Sequence, residues 1–90
     1  MTVPNRDSQK TQKVRIQLDL LEHQAEMFDA IKDECGLETR KELFNVAMTL
    51  FHWAVKETRN GRKIASYDPV NDDVETVIMP ALEFLQSQQT

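Results

Sequence analysis

The sequence predicts a mainly α-helical fold with one short strand, completed by a second copy of the chain. Three observations lead there. Val14, Ile16 and Leu18 alternate with Lys13, Arg15, Gln17 and Asp19, the period of a strand with one dry and one wet face. Two helical apolar patterns follow, each bounded by start and stop signals. And a chain of 90 residues buries only roughly 60% of its unfolded surface when it folds alone, so a partner subunit is an economical way to finish its core.

Residues 1–12 (MTVPNRDSQKTQ) are polar and aperiodic, and read as a flexible basic arm. After the strand, Asp19 with Glu22 three residues later forms a candidate capping box. The helix predicted from Leu20 to Glu34 places Leu21, Ala25, Phe28, Ile31 and Cys35 on one stripe, with Met27 and Ala30 on its flank. Gly36 supplies a left-handed stop. Thr39 and Glu42 form a second capping box. The helix behind it carries Leu43, Phe44, Val46, Ala47, Leu50, Phe51, Ala54 and Val55, and Asn60-Gly61 ends it after Thr58 or Arg59. An apolar arc this broad implies packing on two sides, one of them supplied by another subunit. The extension from 60 to 90 is acidic. KIASY and VETVIM joined by DPVNDD suggest a β-hairpin, with an extended partner-clamping tail as the alternative, and Pro80 opens a short helix.

A lone strand cannot satisfy its own edges, and no well-matched partner stands elsewhere in the sequence. The expectation is therefore self-pairing: two copies of residues 13–18 aligned antiparallel across a two-fold axis as an intersubunit two-stranded ribbon. The dimer core then takes Val14, Ile16 and Leu18 with Phe28, Ile31, Leu43, Phe44, Ala47, Leu50 and Phe51. The wet face gathers two copies each of Lys13, Arg15 and Gln17. These side chains have the donors and acceptors to read base edges in a major groove wide enough for such a ribbon. Thr39, Arg40 and Lys41 open the second helix, where exposed amides and added cations favour phosphate.

The run KVRIQLDL followed by CGLETRKELFNVAMTLFHWAV resembles the ribbon-helix-helix family of bacterial and phage repressors over residues 13–59. That resemblance implies an intertwined homodimer, with Lys13, Arg15 and Gln17 reading bases and the backbone around Thr39 and Arg40 clamping phosphate. It also implies a transcriptional repressor bound to double-stranded DNA, with higher-order assembly on DNA a further expectation. The alternative is a protein-interaction module, an antitoxin or regulator adaptor, working through the extension from 60 to 90. That segment carries Ile64, Tyr67, Val74, Val77, Ile78, Met79, Leu82, Phe84 and Leu85.

Charge and composition bound these readings. The net charge is −4, but Arg6, Lys10, Lys13 and Arg15 oppose only Asp7 before residue 16, whereas no Lys or Arg follows Lys63. A basic start and an acidic end mean that the face presented matters more than the total. No apolar run has the length of a membrane span. The single Cys35 reads as a small buried hydrophobe near a helix end, in a cytoplasmic, reducing setting. His23 and His52 are solitary, and Asp68, Asp72 and Asp73 lack the calcium-loop pattern. No nucleophile–base pair, phosphate loop or zinc helix stands out, so neither enzyme, cofactor nor metal site is expected.

Overall fold

The computed structural model describes residues 12–88. The elements run α1 (Glu22–Glu34), α2 (Arg40–Arg59), β1 (Ala65–Asp68), β2 (Asp73–Thr76) and α3 (Pro80–Ser87). The expected basic arm falls almost wholly outside the described residues.

Each helix end has a local cause. Leu21, not Asp19, is the N-cap of α1. The Gln24 carboxamide oxygen accepts from the Leu21 amide at 3.1 Å, and this competing signal starts the helix two residues later than the Asp19–Glu22 pair suggests. At the other end Gly36 sits at φ 72°. The amides of Leu37 and Gly36 donate to the Lys32 and Asp33 carbonyls at 2.9 and 3.1 Å, a Schellman closure. The Thr39–Glu42 box forms as read: Thr39 Oγ1 accepts from the Glu42 amide at 3.1 Å, while Glu42 Oε1 accepts from the Thr39 amide at 3.0 Å. Gly61, at φ 81°, closes α2 in the same way as Gly36 closes α1, with the Arg62 amide donating to the Glu57 carbonyl at 3.0 Å.

Gly36 yields a clean prediction. A Cβ there would meet nothing within 4 Å, so only the left-handed backbone opposes a side chain. Gly36→Ala should therefore lower stability by about 1 kcal/mol without disturbing packing, measurable by urea denaturation at unchanged slope.

The β-structure agrees with one expectation and overturns another: KIASY and VETVIM supply the two strands of a hairpin, while residues 13–18 form no ribbon. The one sheet among the described residues is an antiparallel hairpin within the chain, with Ala65 opposite Thr76 and Asp68 opposite Asp73. Its turn is self-sufficient. Asp68 Oδ1 accepts from the Val70 amide at 3.0 Å, Oδ2 accepts from the Asn71 side chain at 2.8 Å, and Asp72 takes a positive φ of 53°. Those donors also hold the Asp68 carboxyl below its ordinary pKa, the Asn71 side chain contributing most. Residues 13–20 belong to no helix and no strand ladder. The intersubunit ribbon of residues 13–18, and the ribbon-helix-helix architecture built on it, are thus corrected to a small mainly helical domain with one intramolecular hairpin. Alternation had identified two faces, but strand pairing went to a hairpin whose own turn brings its edges together.

Packing within the chain engages α2 at both ends, with Leu43 buried near its start and Ala54 and Thr58 towards its end. The short helix α3 lies against α2, and Leu82, Ala54 and Leu43 are the buried apolar side chains among the described residues. Thr58, with 2% of its surface exposed, is the most deeply buried residue described. A small cavity of about 60 Å³ lies between Thr58, Ile64, Val77 and Leu82, joining α2, the base of the hairpin and α3.

Candidate functional site

At the opposite end, residues of the segment before α1, of α1 and of the first turns of α2 line an open groove of about 1160 Å³. Val14, Ile16, Leu18, Leu20, Ala25, Phe28 and Phe44 line it with apolar surface, and Lys13, Arg15, Arg40 and Lys41 add four cations. The groove therefore brings together four of the six residues expected to touch nucleic acid. Gln17 and Thr39 are outside its lining.

The cations are not equivalent. Arg40 forks onto Asp29 of α1, its Nε and Nη2 donating to the two carboxylate oxygens at 2.9 Å each. The Arg40 hydrogen bond holds the Asp29 carboxyl below its ordinary pKa, and Asp29 in turn raises that of Arg40. This ion pair is exposed, so it fixes the geometry between helices more than it stabilises them. It also answers the apparent conflict of a cation in the first turn of a helix, because the charge is met inside the chain. Lys41, Lys13 and Arg15 form no ion pair of their own among the described residues.

The start of α2 is closed by its own acid. Glu42 Oε1 accepts from the Glu38 and Thr39 amides at 2.8 and 3.0 Å, and these bonds, Glu38 first, lower the Glu42 pKa. A depressed carboxyl pKa stabilises the fold above the ordinary glutamate range, and that contribution disappears as pH falls through the folded-state value. Stability should consequently decline on acidification, and Glu42→Gln should flatten part of the decline, read from denaturation midpoints across acid pH.

Exposure divides the expected dimer core. Leu43 is buried and Phe28 and Phe51 are half-buried, but Val14 is 83% exposed, Ile16, Leu18 and Ala47 are open, and Ile31 and Phe44 lie just on the exposed side. On α2 the residues Val46, Leu50 and Trp53, spaced as one helical stripe, are all at least half exposed, Leu50 at 64%. The C-terminal unit is similarly open: Tyr67, Val74, Ile78 and Phe84 are exposed, whereas Ile64 and Leu85 are half-buried and Leu82 is buried.

Sequence reasoning missed the Arg40–Asp29 fork, which links two helices and has no local signature. It also missed Thr58 as a core residue. A signal for it existed, since Thr58 lies one turn beyond Ala54 on the apolar arc.

No family model, curated protein or solved structure matches the chain. The likeness of residues 13–59 to ribbon-helix-helix proteins therefore stays a resemblance of pattern. The mechanism attached to it, a repressor that inserts a dimeric ribbon in the major groove for sequence-specific binding, is corrected with the fold. Strand pairing is internal to one chain and involves other residues, so the surface meant to present paired Lys13, Arg15 and Gln17 is not formed. Among the described residues no group of three His, Cys, Asp or Glu side chains is placed to hold a metal, and no helix is long and apolar enough to cross a membrane.

Proposed function

We propose that the protein is a non-catalytic binding module that works as a homodimer joined through the apolar faces of α1 and α2. The observation that carries this reading is the exposed stripe of Val46, Leu50 and Trp53 beside the half-buried Phe51. An isologous contact, stripe against the same stripe, would cover both copies at once. Mass action supplies the test: the melting temperature of a folded dimer rises with protein concentration, and that of a folded monomer does not. A concentration-independent melt would remove this reading.

The partner of that dimer is inferred from charge. Lys13, Arg15 and Lys41 stand around one groove and suit the phosphates of a polyanion, with double-stranded DNA as the partner proposed. The contact is to phosphate alone, and no base reading is attached to it. Lys41→Ala should weaken binding equally on unrelated duplexes and reduce the slope of log affinity against log salt by about one unit. Unchanged affinity, or binding insensitive to salt, would contradict the phosphate contact. The exposed, unpaired Cys35 suits a reducing, cytoplasmic setting.

A further inference from the structure

The hairpin offers an edge, and the chain contains a segment fitted to it. Two-stranded sheets are marginal in water and gain independent stability from a third strand. The Val77 amide donates to the Ile64 carbonyl at 2.8 Å, which makes 64–77 a hydrogen-bonded pair. Such pairs alternate along an antiparallel ladder with pairs whose amides and carbonyls point outward. From the register, Val74 and Thr76 direct theirs away from the hairpin along the edge of β2. Side chains alternate too: Tyr67 and Val74 share one face, 59% and 61% exposed, while Asp73 and Glu75 lie on the other.

Residues 13–18 have the complementary pattern. They are exposed and outside any ladder, and their sequence alternates Val14, Ile16 and Leu18 with Lys13, Arg15 and Gln17, so that pairing as a strand would put the apolar side chains on one side and the polar ones on the other. We propose that the open edge of β2 is the docking site for residues 13–18 of a second copy of this chain, added as a third strand. Its apolar side continues the Tyr67–Val74 face, and its cations lie beside Asp73 and Glu75. No Lys or Arg follows Lys63, so nothing within the C-terminal unit competes for those carboxylates. Backbone pairing gives the attachment, and alternating faces give its register. Exchanged reciprocally between two copies, the contact closes on itself without leaving an open edge of this kind. Lys13 and Arg15 then face carboxylates in the free dimer and phosphates only when the arm is withdrawn.

The proposal rests on the homodimer reading and adds a particular contact to it. The test mixes two full-length variants, both with Cys35→Ser: one carries Arg15→Cys, the other Glu75→Cys or Asp73→Cys. Mild oxidation should give the mixed disulfide as the main cross-linked product, several-fold above a Glu83→Cys control. Charge reversal by Asp73→Lys with Glu75→Lys should weaken self-association about tenfold or more, and Arg15→Glu should restore part of it. A dimer indifferent to reversal, with mixed disulfides no more frequent than the Glu83→Cys control, would overturn the docking site and leave the homodimer standing. A chain that sediments as a monomer at every concentration would overturn both.

Discussion

Leu50→Asp should turn the protein into a monomer that has lost cooperative unfolding. Leu50 is 64% exposed in the single chain, and a substitution at so open a position ordinarily changes stability by no more than about 0.5 kcal/mol. Within a dimer the arithmetic differs. Each copy would forfeit the burial of a leucine, about 2 kcal/mol, and would face a carboxylate with no cationic partner on the stripe. Two copies place the total at several kcal/mol, comparable with the whole stability of a small domain. The readouts are sedimentation for mass and circular dichroism during a urea titration for cooperativity. A Leu50→Asp protein that melts like the parent would mean that the stripe faces water.

The second large effect concerns the other end of the molecule. Leu82 is the one buried side chain of α3, and an eight-residue helix does not persist in water without tertiary contact. Leu82→Ala should cost about 2–3 kcal/mol and release α3 from α2. Phe84, on the same helix but exposed, is the matched control, and Phe84→Ala should change stability by less than about 0.5 kcal/mol. Hydrogen exchange would separate local from global loss: the amides of 83–87 should lose protection in Leu82→Ala while those in the middle of α2 keep theirs. Equal protection in both variants would show that α3 is held by something other than Leu82.

What could be read in the sequence, and what could not, follows from the range of each interaction. Thr39, Glu42, Gly36 and Gly61 announce the ends of α1 and α2 because caps are local, set by bonds across three to five residues. The start of α1 was misplaced for a local reason as well. Two acids and an amide compete there, and Gln24 reaches the Leu21 backbone where Glu22 had been expected to serve Asp19. Strand pairing is different. Alternation in KVRIQLDL says which side chains would share a face in a strand but nothing of what would lie alongside. The chain settled its sheet in ASYD and DVET, where Asp68, Asn71 and Asp72 build a turn. The groove lining includes Lys13, Arg15, Arg40 and Lys41, cations that the sequence singles out for base or phosphate contact. The commitment of Arg40 to Asp29 was not, because it depends on how α1 crosses α2.

The proposed homodimer requires a second copy to cover apolar surface that one chain leaves open. Sedimentation equilibrium of the full chain measures this without labels or substitutions. The expected result is a mass twice the 10.5 kDa of the chain, held over a wide range of concentration and lost with Leu50→Asp. A single-chain mass in a sample that is folded and unfolds cooperatively would contradict it.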